Sequence, residues 1–148
     1  DESAADCARV AARCGRPYWR AARIPAGAAG AFDLIEFAHA FATAQALLLD
    51  AHVEGFGGGG KTFDWSLLPP NVAAHLVLSG GLTPANVGDG LRLLRGRGRS
   101  LAVDVSSGVE AVGPDGQPLK GIKDAARIFQ FVAAVRAADA ALAGSPPT

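Results

Sequence analysis

Apolar and polar positions along this chain follow a helical period in some segments and a strand-like pattern in others, which predicts helices and strands in turn. Residues 2–14 begin with Ser3 as an N-cap and end at Gly15, a combination typical of a helix. Large residues bounded by prolines predict a strand over 17–24, and helical spacing returns at 32–41.

The later part of the chain repeats this order with more strongly apolar strands. Apolar runs at 46–50, 75–81 and 100–108 are typical of buried parallel strands. A helix is predicted from Thr83 as N-cap, and a long amphipathic helix over 123–142. The predicted apolar stripe of that last helix consists of Ile128, Phe129, Val132, Val135 and Leu142.

About four strands separated by helices predict one α/β domain with a parallel sheet over residues 1–148. The sheet could be doubly wound or part of a closed barrel. No GxGxxG motif favours a nucleotide-binding sheet, and GFGGGGK at 55–61 lacks the spacing of a P-loop. We expect Trp19 and Trp65 to be core or helix-packing residues rather than platforms for a ligand.

The composition and net charge limit the kinds of molecule that the chain is expected to bind. The chain is 49% hydrophobic and 19% charged with a formal net charge of zero, which favours neither nucleic acid nor an anionic membrane. No apolar run approaches the roughly 18 residues of a membrane helix. Cys7 and Cys14 lie too far apart on one helix to bridge, so we expect reduced thiols in the cytoplasm. His39, His52 and His75 lack metal-ligand spacing, so no metal is expected.

Two aspartates lie on predicted strands, at positions where a carboxylate could have a functional role. Asp50 ends a strand, on the same face as Ala46 and Leu48, where it could serve as a general acid or could cap the following loop. Asp104 lies within a predicted apolar strand, where a carboxylate needs a partner. The alternative for Asp104 is a structural ion pair with Arg20 or Arg23.

Small-residue turns follow the last two strands, at Ser79-Gly80-Gly81 and Ser106-Ser107-Gly108. Glycine lets backbone N–H groups approach an oxyanion closely, and a helix N-terminus beyond the turn favours negative charge. Because phosphate sites recur in the loops after the last two strands of (β/α)8 barrels, the pair of turns predicts phosphate binding.

Five blocks together resemble the phosphoribosylanthranilate isomerases of tryptophan biosynthesis. They are LLLD (47–50), GGGGKTFDWSLL (57–68), LVLSGGLTPANV (76–87), VDVSSGVE (103–110) and GIKD (121–124), in the family's order. The resemblance implies a (β/α)8 TIM barrel, of which this chain would supply about the fifth to eighth strands and their helices.

The resemblance also implies an Amadori rearrangement of a phosphorylated sugar-anthranilate substrate, without a metal or organic cofactor. Asp50 matches the aspartic acid that protonates the furanose ring oxygen, and Asp104 matches a residue that contacts the anthranilate amine. The matches to the phosphate-binding loops are Gly80, Gly81, Ser107 and Gly108.

Departures from the family concern the catalytic base. The family's base is a cysteine in a CG-x-T motif after the first strand, and neither Cys7 nor Cys14 stands in such a motif. The chain contains no methionine and starts at Asp1, so we expect a carboxyl-terminal part that is inactive alone. The polar stretch 113–118 is expected to lengthen the loop after the eighth strand.

Two alternatives stay open. One is an aminoaldose isomerase of histidine biosynthesis, which uses an aspartate at the end of the fifth strand; segment 17–24 ends without one. The other is a non-catalytic half-barrel that binds a phosphorylated ligand. Since an open parallel sheet exposes two edges and an apolar face, such a chain should dimerise or aggregate.

Overall fold

The computed structural model describes residues 2–25, 32–52 and 64–144. Its centre is a parallel sheet of four strands whose spatial order follows the chain order. The strands are β1 (Trp19–Pro25), β2 (Ala46–His52), β3 (His75–Leu78) and β4 (Ser100–Val103). The helices of the described residues are α1 (Ala4–Cys14), α2 (Leu34–Ala40), α3 (Val87–Leu94) and α4 (Ala125–Ala143). The predicted parallel α/β class is therefore confirmed.

The first helix has the ends that its sequence predicts. The Ser3 hydroxyl accepts the Asp6 N–H at 3.1 Å, and Gly15 closes α1 in the left-handed conformation at φ 60°. Asp33 precedes α2 as its N-cap, and its Oδ1 accepts the Glu36 N–H at 2.9 Å. Both helices thus begin on side chains that satisfy otherwise unpaired N–H groups.

The two faces of the sheet differ in burial. Leu47 and Leu49 of β2 and Leu76 and Leu78 of β3 are at most 1% exposed and form the core with the helices. On the opposite face, Trp19 is 58% exposed, so the expectation of a core role is wrong for this residue.

The other tryptophan is buried, as predicted, at 7% exposure. Trp65 begins a 3₁₀ turn (Trp65–Leu67) and packs beneath α3 against Gly90. A Cβ at Gly90 would lie 2.6 Å from Leu78 Cδ2 and 3.3 Å from the Trp65 ring, so this contact requires glycine. The glycine-rich segment that precedes it, 55–60, lies outside the described residues.

One predicted strand and one predicted helix differ from the structure by more than three residues at one end. The predicted strand over 100–108 is too long, because β4 ends at Val103. The helix predicted from Thr83 begins later, at Val87. Residues 84–86 form a turn ahead of α3, and Asn86 Oδ1 accepts the Thr83 N–H at 2.8 Å, a contact of the kind found at helix starts.

Residues 113–118 do not simply lengthen a loop. They close an antiparallel hairpin between β5 (Glu110–Val112) and β6 (Pro118–Lys123), with Gly116 in the left-handed conformation at φ 80°. The hairpin stands between β4 and α4, directly after the turn at Ser107–Val109.

The apolar stripe predicted for α4 is only partly correct. The buried residues are Phe131 and Ala138, with Val135 half-buried beside them, whereas Phe129 is 75% exposed. Ile128 and Val132 are also exposed. Among the residues that the structure describes, no helix is long and apolar enough to cross a membrane.

Candidate functional site

One layer of side chains crosses the sheet at the carboxyl ends of the strands. In the parallel pairing of β1 with β2, Arg23 lies opposite Asp50. The N–H of Ser79, just after β3, donates to Leu49 O at 2.9 Å. The N–H of Asp104 donates to Leu78 O at 2.8 Å, which extends the ladder one residue beyond β4. The layer thus brings the two predicted aspartates to one edge, about 10 Å apart because two strand spacings separate them.

Asp50 faces away from the helical core. Its neighbour Leu49 is fully buried toward the helices, and successive side chains of a strand point to opposite faces. The Asp50 carboxyl is half-buried and makes no hydrogen bond within the described residues. The alternative of a loop cap concerns the segment after β2, which lies largely outside the described residues, so it stays open.

Asp104 is held by a hydroxyl rather than by a cation. Ser79 Oγ donates to Asp104 Oδ2 at 2.9 Å, and Asp104 itself is exposed beyond the end of β4. Within the described part of the chain Asp104 makes no ion pair, and Arg20 instead bonds Glu2 at 3.2 Å. The structure therefore does not support the alternative of an ion pair. Sequence reasoning missed this role of Ser79, although the residue stands in the SGG turn.

The turn after β3 is shaped by two consecutive glycines. Gly80 and Gly81 adopt φ values of 75° and 66°, a region that other residues rarely enter. The Asn86 amide fixes the turn from below, because its Nδ2 donates to Gly81 O at 3.0 Å. The sequence analysis did not identify Asn86. Its position three residues after the predicted N-cap, Thr83, could have indicated that its side chain contacts this turn.

The turn after β4 lies directly against the first one. A Cβ at Gly108 would come within 1.8 Å of Leu82 O and 3.1 Å of Thr83 Cα, so only glycine allows this approach. Ser107 and Gly108 belong to the 3₁₀ turn Ser107–Val109. The structure thus places the turn that contains Ser107 and Gly108 against the residues that directly follow Gly80 and Gly81.

Backbone donors of both turns are available to a ligand. Within the described residues, no acceptor is recorded for the N–H groups of Gly80, Gly81, Ser107 or Gly108. In other proteins, free backbone N–H groups at neighbouring turns are a common feature of anion-binding sites. No cluster of three or more histidine, cysteine, aspartate or glutamate side chains suited to a metal ion occurs within residues 2–25, 32–52 and 64–144.

Fold and site together define the chain as a parallel α/β protein in which two carboxylates and two glycine turns lie at one edge of the sheet. The sequence profile of the N-(5'-phosphoribosyl)anthranilate (PRA) isomerase family matches residues 13–134. The chain belongs to this family.

Relatives named N-(5'-phosphoribosyl)anthranilate isomerase support the assignment. That of Dechloromonas aromatica is 56% identical over 94% of this chain and 58% of its own length. That of Methylibium petroleiphilum is 55% identical over 98% of this chain and 59% of its own length. The chain therefore spans about three-fifths of the length of these relatives.

A solved structure agrees in fold. The crystal structure of mutually generated monomers of the dimeric phosphoribosylanthranilate isomerase from Thermotoga maritima is 30% identical, with a TM-score of 0.61. The match covers 92% of this chain and 57% of that one. The similarity thus extends over nearly the whole of the present chain.

Proposed function

We propose that this chain carries the acid and the phosphate site of an N-(5'-phosphoribosyl)anthranilate isomerase. The observation that supports this most directly is the layer at the carboxyl edge of the sheet. In it Asp50 lies about two strand spacings, roughly 10 Å, from Asp104, and beside them lie four backbone N–H groups that have no acceptor among the described residues.

The proposed reaction is an Amadori rearrangement that moves protons and no other group. Asp50 protonates the furanose ring oxygen, so the C1–O bond breaks and the ring opens to a Schiff base. A base then removes the proton from C2′, and the resulting enolamine tautomerises to the ketone. Ser79 orients Asp104, and Asp104 contacts the amine of the anthranilate. This contact positions the furanose ring relative to the acid, Asp50.

The phosphate is the remote anchor of this substrate. The N–H groups of Gly80, Gly81, Ser107 and Gly108 bind its oxygens, and the contact between the two turns fixes their spacing. Binding energy from this non-reacting end holds the sugar in place for proton transfer. The site therefore needs no cofactor for the chemistry proposed.

The four strands are proposed to be the fifth to eighth of a (β/α)8 barrel. Consecutive parallel strands lie side by side without a reversal of order, which suits a barrel better than a doubly wound sheet. The sheet face that carries Trp19, Arg23 and Ala102 is exposed along both outer strands, as expected where further strands would cover it. The length of the relatives, of which this chain spans about three-fifths, agrees with this proposal.

The catalytic base is proposed to lie outside this chain. Cys7 is half-buried and Cys14 exposed on α1, so neither stands at a strand end where the family's cysteine acts. We therefore expect the 148-residue chain alone to be inactive. A cytoplasmic location and a homodimer are further expectations, and the free thiols agree with the first of them.

The test compares the complete gene product with the 148-residue chain alone, using chromatography to separate substrate from product. We expect turnover by the former and none by the latter. Turnover by the isolated chain would overturn the proposal of an incomplete site.

The second candidate function is a phosphate-binding half-barrel without catalysis, which the exposed sheet face favours. A complete gene product without turnover that still binds phosphate, together with a self-associated chain in a solution mass measurement, would favour this candidate. An aminoaldose isomerase of the histidine type is less well supported, because β1 ends in Arg23, Ile24 and Pro25 without an aspartate.

A further inference from the structure

Lys123 makes a network behind the turn at Ser107–Val109. Its Nζ donates to Ser106 O at 2.8 Å, to Ser106 Oγ at 3.3 Å and to Glu110 Oε1 at 3.1 Å. An ammonium group has three hydrogens, so these contacts account for all its donors. Lys123 is therefore not available as a ligand of the phosphate in this arrangement.

Glu110 is the more deeply buried partner of Lys123 in this network. Its side chain is 8% exposed, and Oε1 also accepts the Gly121 N–H at 2.9 Å. The Glu110 carbonyl oxygen in turn accepts from Arg127 Nη1 at 2.9 Å, at the start of α4. The carboxylate thus binds β6 and positions the ammonium of Lys123, while the backbone carbonyl of the same residue contacts the last helix.

The geometry of one peptide unit connects this network to the phosphate site. The carbonyl of Ser106 and the N–H of Ser107 belong to the same peptide group, and in a trans peptide they point in opposite directions. Lys123 holds the carbonyl oxygen, so the Ser107 N–H points away from the lysine. That N–H is one of the four donors of the candidate site that have no acceptor within residues 2–25, 32–52 and 64–144.

We propose that Glu110 and Lys123 form a brace that aims the N–H group of Ser107 at the substrate phosphate. Lys123 is then a positioning residue for phosphate binding. This proposal rests on the proposed function, since it assigns a support to the same phosphate site. It goes beyond that function in naming two side chains that do not touch the substrate.

The experiment measures inhibition by inorganic phosphate in the complete gene product. Lys123→Met should raise the phosphate inhibition constant and the substrate KM together by about tenfold, because a charge-assisted hydrogen bond is lost. The kcat should stay within about threefold, since the reacting atoms are elsewhere. Lys120→Met is the matched control, because it removes the same charge from the same strand without a hydrogen bond to the turn. It should change phosphate inhibition less than about twofold.

Glu110→Gln separates the brace from a simple charge effect. Removing a carboxylate near an anion site should tighten phosphate binding if only charge matters. The brace predicts the opposite sign, a weakening of about threefold, because Lys123 loses its charged partner. This variant also decides the question if Lys123→Met does not fold.

Three results overturn the proposal. Wild-type phosphate inhibition in Lys123→Met refutes the brace alone and leaves the isomerase assignment standing. Tighter phosphate binding in Glu110→Gln does the same. A wild-type enzyme that turns over substrate but is not inhibited by phosphate removes the phosphate site, and the brace with it.

Discussion

The contact between the two glycine turns can be tested by adding a single methyl group. In Gly108→Ala the new Cβ would lie 1.8 Å from Leu82 O, 2.8 Å from Leu82 C and 3.1 Å from Thr83 Cα. All three are backbone atoms, so no side-chain rotation relieves the contact. The turns after β3 and β4 must therefore move apart.

The size of that movement follows from the distances. Non-bonded heavy atoms lie at about 3.5 Å or more, and the new Cβ would lie 1.8 Å from Leu82 O, so the Leu82 carbonyl and residue 108 must separate by roughly 1.7 Å. Overpacking of an interior typically costs about 1–3 kcal/mol of unfolding free energy, and a backbone contact belongs at the upper end. A shift of this size also removes the alignment of four donors on one phosphate, for which we expect a loss of at least about tenfold in affinity.

The assay pairs urea unfolding with phosphate inhibition in the complete gene product. Gly116→Ala is the control: it forces alanine into φ 80° at the hairpin tip, with nothing within 4 Å of the new Cβ. It should lose about 1–2 kcal/mol of unfolding free energy through backbone strain and keep phosphate inhibition unchanged. Wild-type phosphate inhibition in Gly108→Ala would refute the contact as the basis of the site.

Three further predictions concern single interactions. Ser79→Ala removes the hydrogen bond to Asp104, and kcat/KM of the complete gene product should fall about tenfold, whereas an unchanged value would exclude the orienting role. The Gly121 N–H and then Lys123 lower the pKa of Glu110 from its ordinary value of 4.5. Because this pKa is lower in the folded state, ionised Glu110 stabilises the fold above about pH 4.5, and the stabilisation is lost as the pH falls through the lower pKa of the folded state. The urea midpoints of Glu110→Gln should therefore show less acid dependence below pH 4.5 than those of the wild type. Ser3→Ala should lower the unfolding free energy by about 1 kcal/mol through loss of the α1 cap, measured by urea unfolding; no change would show that the cap contributes little.

Much of the fold could be predicted because it depends on local chemistry. Ser3 and Gly15 delimit a helix through hydrogen bonds within one turn, and continuous apolar runs identify buried parallel strands. The hairpin at 110–123 was missed because its strands are short and largely exposed, so no alternation of buried and exposed residues marks them. Phe129 and Ile128 were placed in the core because period alone does not say which of two apolar stripes faces the sheet.

The candidate site was predictable in its residues but not in their connections. Asp50, Asp104 and the two glycine turns stand out because acids and small residues at strand ends are unusual. The partner of Asp104 was not predictable, since a serine one strand away becomes its neighbour only through the register of β3 and β4. The same holds for Lys123, whose contact with Ser106 spans 17 residues of sequence.

The proposal that Asp50 is the acid of this isomerase is tested most directly by Asp50→Asn in the complete gene product. Asparagine keeps the size of the side chain but cannot donate the proton, so kcat should fall by about 10²–10⁴ with phosphate inhibition unchanged. Asp89→Asn, an exposed position on α3, is the control and should keep full turnover. Wild-type kcat in Asp50→Asn would contradict the account.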